Sequence, residues 1–354
     1  MSKLNASVIV RKNIQKLKPY QAKEIPCKIK LDANESPFPV KLSDFVSEIS
    51  IPLNRYPDPE AILLRKALAR KLKLSYKNIM PGNGSDELIY YLILTFGGPV
   101  LYPVPTFAMY GIIAQSVGVE TVECRLDNNF DINDEEFLML IKSKKPRLIF
   151  LSSPNNPTGN TFSTDKILKI IESAEKNSSI VVIDEAYQPF SSEKGFLPFL
   201  KDYDNLLILR TLSKIGFAGL RLGYLIGKEK FLHEINKVRL PYNVDSITQY
   251  VATEALKRFY PQIKKFISQI IKERQRLYRE LLKIQKLKVY PSEANFILLQ
   301  IENSKTIYQK LIKAGILVRD LSSVINNALR VTIGTSEENE EFLKTLKKIL
   351  EENR

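Results

Sequence analysis

The chain has 354 residues, 44% of them hydrophobic, with a formal net charge of +14, two cysteines and a single histidine. That length suits two lobes at roughly 100–200 residues per domain, and no apolar run reaches the ~20 residues that span a bilayer. Cys27, Cys124 and His233 cannot make a usual zinc set, and His233, on a helical surface pattern at 228–235, is a poor relay for serine or cysteine chemistry.

The positive charge invites a nucleic-acid reading, but the lysines are scattered over every helical pattern and are not clustered with aromatics. Mixed-sign runs such as Lys272-Glu273-Arg274 read as solvated faces. We expect no nucleic-acid, membrane or metal partner, two free buried thiols, a cytoplasmic location and attraction for anionic small molecules.

Met1 to Lys18 is basic without an uninterrupted apolar segment, so it does not read as a secretory signal. Residues 1–45 read as an arm, periodic only near 28–31 and broken by Pro37 and Pro39. Asn-Arg-Tyr-Pro-Asp-Pro (54–59) is a turn, and its Tyr56 reads in isolation as a packed turn aromatic. It leads into a helix at 60–74. Residues 80–87 read as a glycine-containing turn with Ser85 and Asp86 as a capping pair, followed by a helix apolar nearly all round. Free N–H groups at such a helix start bind anions. The fragment Gly82-Asn83-Gly84 alone falls short of the dinucleotide and Walker patterns, and a merely capped helix accounts for it equally well.

A short strand and an aromatic turn holding Phe107 and Tyr110 follow at 99–110, then a strand at 120–125 and a helix at 133–143. The strand at 147–151 runs into Ser-Ser-Pro-Asn-Asn-Pro-Thr-Gly (152–159). After a helix at 163–176, the strand at 180–183 ends in Asp184 and Tyr187. The strand at 206–209 leads to Thr211, Ser213 and Lys214, and another follows at 222–227. Strands that alternate with helices and read as continuous apolar runs predict an α/β fold with a mostly parallel sheet. Three parallel strands that each end in a different polar group place a site at the carboxyl edge of that sheet.

From 246 the texture changes. A long helical stretch at 246–285, interrupted at Pro261, precedes strands near 288, 294–299, 316–319 and 329–333, with helices at 304–314 and 336–351. The expected division is an arm at 1–45, a large domain at 46–245 and a smaller α+β domain at 246–354 that includes part of the arm.

Asn156, Asp184, Tyr187, Lys214 and Arg221, in this order and context, resemble the pyridoxal 5'-phosphate (PLP)-dependent aminotransferases of fold type I. Three separate motifs carry the resemblance: Ser-Pro-Asn-Asn-Pro-Thr-Gly, Asp-Glu-Ala-Tyr and Ser-Lys-x₆-Arg. It implies that Lys214 condenses with the cofactor aldehyde and, once released, moves a proton at the substrate carbon. Asp184 would keep the pyridine nitrogen protonated; following four apolar residues, it must be partnered if buried. Asn156 and Tyr187 would donate to the ring hydroxyl oxygen. Thr211, Ser213 and Arg221, with the helix start at Gly84, Ser85 and Asp86, would clamp the phosphate. Tyr56 would reach the phosphate held by a neighbouring subunit, which implies a homodimer with shared sites. Either Phe107 or Tyr110 would cover the ring. Phe107 stands where many members carry tyrosine, and the Lys214-to-Arg221 spacing is one residue tighter than in some members.

Leu-Asp-Ala-Asn-Glu-Ser-Pro-Phe (31–38), Asn-Arg-Tyr-Pro-Asp (54–58), Gly-Asn-Gly-Ser-Asp-Glu (82–87), Pro-Thr-Phe-Ala-Met-Tyr (105–110), Gly-Ile-Leu-Val-Arg-Asp (315–320) and Leu-Arg-Val-Thr-Ile-Gly-Thr (329–335) resemble the histidinol-phosphate aminotransferases. That family exchanges an amino group between histidinol phosphate and glutamate, with 2-oxoglutarate and imidazole acetol phosphate as the keto partners, in histidine biosynthesis. The resemblance implies that Arg330 and Arg319 hold the substrate's acidic group, with Tyr20 and Asn34 of the arm nearby. The same framework serves aromatic amino-acid aminotransferases and phosphothreonine decarboxylases. A non-enzymatic regulator on this fold would need a DNA-binding module, for which the residues before the arm motif are too few.

Overall fold

The computed structural model describes residues 9–17, 25–45 and 51–352. Its frame is a seven-stranded sheet in the order β2-β8-β7-β6-β5-β3-β4: β2 Ile79–Asn83, β3 Val100–Val104, β4 Thr121–Arg125, β5 Leu148–Ser152, β6 Ile180–Asp184, β7 Leu206–Thr211 and β8 Leu222–Ile226. Pairings along β4-β3-β5-β6-β7 are parallel, and β8 runs antiparallel to both neighbours. The reversal follows from chain length. Only residues 212–221 join β7 to β8, whereas a parallel crossover needs a dozen or more.

The apolar runs are continuous because both faces of this sheet are covered. Along β6, Val181 and Ile183 join one core cluster while Ile180 and Val182 join the other. Along β7, Leu206 and Ile208 separate in the same way from Leu207 and Leu209. Each such side chain contributes about 1.5–3 kcal/mol on burial. One face packs against helices such as α6 (Thr164–Lys176), which buries Ile167, Ile170, Ile171 and Ala174 at helical spacing. The other packs against α3 (Gly84–Phe96) and α4 (Met109–Val117).

A second sheet, β1-β11-β12-β10-β9, holds Ile29–Leu31 of the arm beside Ile316–Asp320, Ala328–Thr332, Phe296–Gln300 and Lys288–Val289. β1 pairs in parallel with β11, so the arm is a strand of the smaller sheet. The long helical stretch is α8 (Ser246–Glu254), a π segment (Ala255–Phe259) and α9 (Tyr260–Leu282). The expected break is thus a widened turn just before Pro261. Pro261 lies in the first turn of α9, where its missing N–H is harmless.

Two local expectations change. Residues 79–83 are a strand and not a turn; β2 lies at the sheet edge, where Pro81 removes no needed ladder bond. Ser85 and Asp86 sit inside the first turn of α3, and its N-cap, Asn83, makes no side-chain cap. Among the described residues no helix is long and apolar enough to cross a membrane. Cys27 and Cys124 are free thiols, but only Cys124 is buried; Cys27, just before the edge strand β1, is partly exposed, and His233 is exposed on α7 (Glu229–Asn236).

Candidate active site

The carboxyl ends of β5, β6 and β7 come together in register, Ser152 opposite Asp184 and Asp184 opposite Leu209. Alternation along β6 sends Asp184 to the same face as Val182, where it is 3% exposed. Its Oδ2 accepts from the Tyr110 hydroxyl at 2.7 Å and its Oδ1 from the Ala186 N–H at 3.0 Å. Burial pushes this carboxyl up to about 6, and both hydrogen bonds pull the other way.

Glu185 must then face the opposite side. It is fully buried there, on Arg210 at 2.7 Å, and also accepts from the Phe196 N–H at 2.5 Å. This ion pair ties the end of β6 to β7. The sequence reading missed it, although period-two alternation from Asp184 predicts a buried Glu185 in need of a cation.

The arm crosses the site with two successive carbonyls turned toward cations. Arg330 Nη2 donates to the Asp32 oxygen at 2.7 Å, and Lys214 Nζ stands 3.3 Å from the Ala33 oxygen. Lys214 is half-buried, 5.9 Å from the centre of the Tyr187 ring. Arg330 also donates through Nη1 to Asn156 Oδ1 at 2.6 Å and lies over the Phe296 ring at 5.1 Å. Asn156, Lys214, Tyr187 and Arg330 therefore share one site.

Asn34, expected near the substrate, lies within the site and bonds to Tyr187. It is 1% exposed. Its amide donates to the Tyr187 hydroxyl at 2.8 Å and accepts from the Thr332 hydroxyl at 3.2 Å, while its carbonyl takes the Asn295 amide at 2.9 Å. With both ends of the side chain engaged, Asn34 holds Tyr187 in place. Tyr20 lies outside the described residues.

Phe107 and Tyr110 part company. Tyr110 is completely buried, with its ring stacked on Phe150 at 4.7 Å and 7°, so it cannot also lie on a bound ring. Phe107 is half-buried and meets Tyr110 edge-on at 5.6 Å. Asn155, also missed from sequence, pins this turn: its Oδ1 accepts from Thr106 at 2.7 Å and its amide donates to the Pro105 carbonyl at 3.0 Å. In the doublet Asn155-Asn156, the first residue builds the loop and the second faces the site.

A donor cradle lies at the start of α3. Thr211 and Ser213 share a hydroxyl hydrogen bond of 2.9 Å. Arg221, with φ +49°, extends to Asp86 at 3.4 Å. A β-carbon on Gly84 would stand 2.6 Å from Arg221 Nη2, and one on Gly223 would stand 2.6 Å from the Ser85 nitrogen. Glycine at both positions keeps the uncapped N–H groups and the guanidinium around one open space. Tyr56 is elsewhere on the surface, 80% exposed, and stacks on Tyr242 at 4.5 Å. Arg319 is exposed and sits directly opposite Arg330 across β11 and β12.

A movable amine, a buried carboxylate and a cradle of N–H, hydroxyl and guanidinium donors fit a phosphorylated pyridine aldehyde. The family described as aminotransferase class I and II matches residues 26–346. The chain belongs to the class I and II aminotransferases. This aminotransferase is 41% identical over 352 residues to the histidinol-phosphate aminotransferase of Caldanaerobacter subterraneus subsp. tengcongensis, covering 97% of this chain and 99% of the relative. The crystal structure of the histidinol-phosphate aminotransferase from Clostridium acetobutylicum superposes with a TM-score of 0.84 at 29% identity, covering 91% of this chain and 98% of that one. That from Sinorhizobium meliloti, in complex with pyridoxal-5'-phosphate, gives a TM-score of 0.86 at 22% identity over 98% of each chain. The aminotransferase has the fold type I architecture, an α/β domain with a mostly parallel sheet beside the smaller sheet that takes in the arm.

Proposed function

We propose that this aminotransferase exchanges the amino group between histidinol phosphate and 2-oxoglutarate, with PLP held at Lys214. The observation that carries the substrate class is the arginine pair. Residues opposite each other on antiparallel strands project from the same face, and like charges there are destabilising. A cross-strand pair of arginines beside the Lys214 amine makes sense when a dianionic phosphate or a carboxylate comes between them. That the relatives are histidinol-phosphate aminotransferases supports the phosphate.

When bound, the cofactor supplies an aldehyde for amine exchange and a ring that withdraws electrons. Lys214, whose amine meets the Ala33 carbonyl, would hold the aldehyde, and its free amine would move a proton at the amine-bearing carbon of the substrate. Asp184 would face the ring nitrogen, Tyr187 and Asn156 would serve the ring hydroxyl, and Phe107 would cover the ring face. Thr211, Ser213, Arg221 and the N–H groups at Gly84, Ser85 and Asp86 would take the cofactor phosphate. Arg330 exchanges its Asn156 contact for the substrate's acidic group, which frees Asn156 Oδ1 at the same moment.

The chain works as a homodimer in this reading. Leu53 and Leu240 are exposed near the Tyr56–Tyr242 stack, and a second copy covering that surface would bring Tyr56 to the partner's phosphate cradle. The arm at 1–45, the large domain at 46–245 and the small domain at 246–354 divide the work: the large domain holds the cofactor, and the small domain with the arm reads the substrate.

Single substitutions test the arginine roles. Arg330→Ala should lower kcat/KM for histidinol phosphate and for glutamate by about a hundredfold, the loss of a charged hydrogen bond worth ~2–3 kcal/mol. Arg319→Ala should affect the phosphate substrate more than glutamate. Equal losses on a neutral amine would remove the arginines from substrate recognition.

A further inference from the structure

We propose that Tyr110 is a positioning residue that keeps Asp184 ionised toward the ring nitrogen of the cofactor. The inference rests on the PLP reading above.

The Tyr110 hydroxyl is aimed at Asp184, with the Ser152 hydroxyl as its other polar neighbour. The residue lies in the first turn of α4 with no exposed surface. Phe150 stacks beneath its ring, Phe107 meets it edge-on, and Tyr102 closes it at 6.2 Å and 54°. So packed, the ring has little freedom, and its hydroxyl points to Asp184 Oδ2 at 2.7 Å. The other carboxylate oxygen is taken by the Ala186 N–H.

Asp184 needs such a donor because its surroundings work against its charge. It is buried, and the acids around it, Asp86 at the start of α3 and Glu185 next in the chain, disfavour a second negative charge. A buried carboxylate stays ionised only where donors are aimed at it. The phenol is the fixed donor of the pair, since burial and the adjacent Asp184 push its own pKa well above the usual value. An ionised Asp184 draws a proton onto a facing pyridine nitrogen. With the hydroxyl gone, that proton passes to the carboxylate and the ring nitrogen becomes neutral, with no proton gained or lost by the pair.

The test loads wild type, Tyr110→Phe and Phe150→Leu with PLP labelled with nitrogen-15 in the ring and records the nitrogen shift at one neutral pH. Wild type should show a protonated ring nitrogen. Tyr110→Phe, which keeps the ring and its stacking, should move toward the unprotonated position, with the cofactor dissociation constant raised about tenfold, the equivalent of one pKa unit. Phe150→Leu, which disturbs packing and keeps the hydroxyl, should retain the wild-type shift. An unchanged shift in Tyr110→Phe overturns the proposal. An equal displacement in Phe150→Leu assigns the effect to packing and overturns it too. A wild-type protein that takes up no cofactor overturns the PLP reading and this inference with it, a result distinct from either.

Discussion

Asp184 gives the protein a pH signature that can be measured before any cofactor is added. Its carboxyl stands at about 6 in the fold and near 3.9 in an unfolded chain. Between those values the native state binds more protons than the unfolded state, so stability falls as pH rises through about 4 to 6. The integrated effect is on the order of 3 kcal/mol. Denaturant midpoints at several pH values should therefore decline across that window in wild type, and Asp184→Asn should flatten that part of the curve. A slope identical in both proteins would mean that Asp184 does not carry the shift. At this scale the sequence was informative where a polar residue follows an apolar strand, as with Asp184 and Lys214. It was silent where two candidates share one turn. Phe107 and Tyr110 are three residues apart, and only the stack on Phe150 separates them. Asn34 was legible as a residue of the site, but its task of holding Tyr187 depends on Thr332 and Asn295, hundreds of positions away.

Among the elements, β6 and β7 end at the proposed site, with Asp184 on one face, and are fastened to each other on the other face. Arg210 and Glu185 form that fastening in the core. Removing one partner of a buried pair leaves an uncompensated charge and costs about 3–5 kcal/mol. Arg210→Ala should lower stability by that amount in chemical denaturation, and Arg210→Met paired with Glu185→Gln should recover much of it. If the single substitution were neutral, the pair would not be holding the strands. A second constraint lies at β8, where Gly223 passes against the start of α3. Most strands were readable because continuous apolar runs have one explanation in a doubly covered sheet. β2 was not, because Pro81 and Gly82 look like a turn until β8 is found beside them. The antiparallel direction of β8 was equally hidden, since an apolar run carries no direction of its own.

For the whole molecule, the arm, the small sheet and the large sheet meet at Lys214, and an exposed aromatic and aliphatic surface lies outside that junction. Tyr56 is 80% and Leu53 76% exposed, apolar surface that a second copy would cover. Sedimentation should give a particle of twice the 40.5 kDa chain. Leu53→Arg with Leu240→Arg should split it and weaken cofactor retention, because Tyr56 then has no partner to serve. A monomer with full activity would contradict the shared site. No single strand or motif announces such a surface in the sequence, since it depends on which apolar residues the finished fold leaves uncovered.

Amino-group exchange with histidinol phosphate and glutamate is the proposed task of the Lys214 site. Its most direct test follows the visible band of the PLP-loaded protein while single amines are added, with Lys214→Ala as the folded control that forms no lysine-linked band. Loss of the band at low histidinol phosphate, and again with glutamate, is the predicted result. Bleaching chiefly by phenylalanine, or release of carbon dioxide from phosphothreonine, would contradict it.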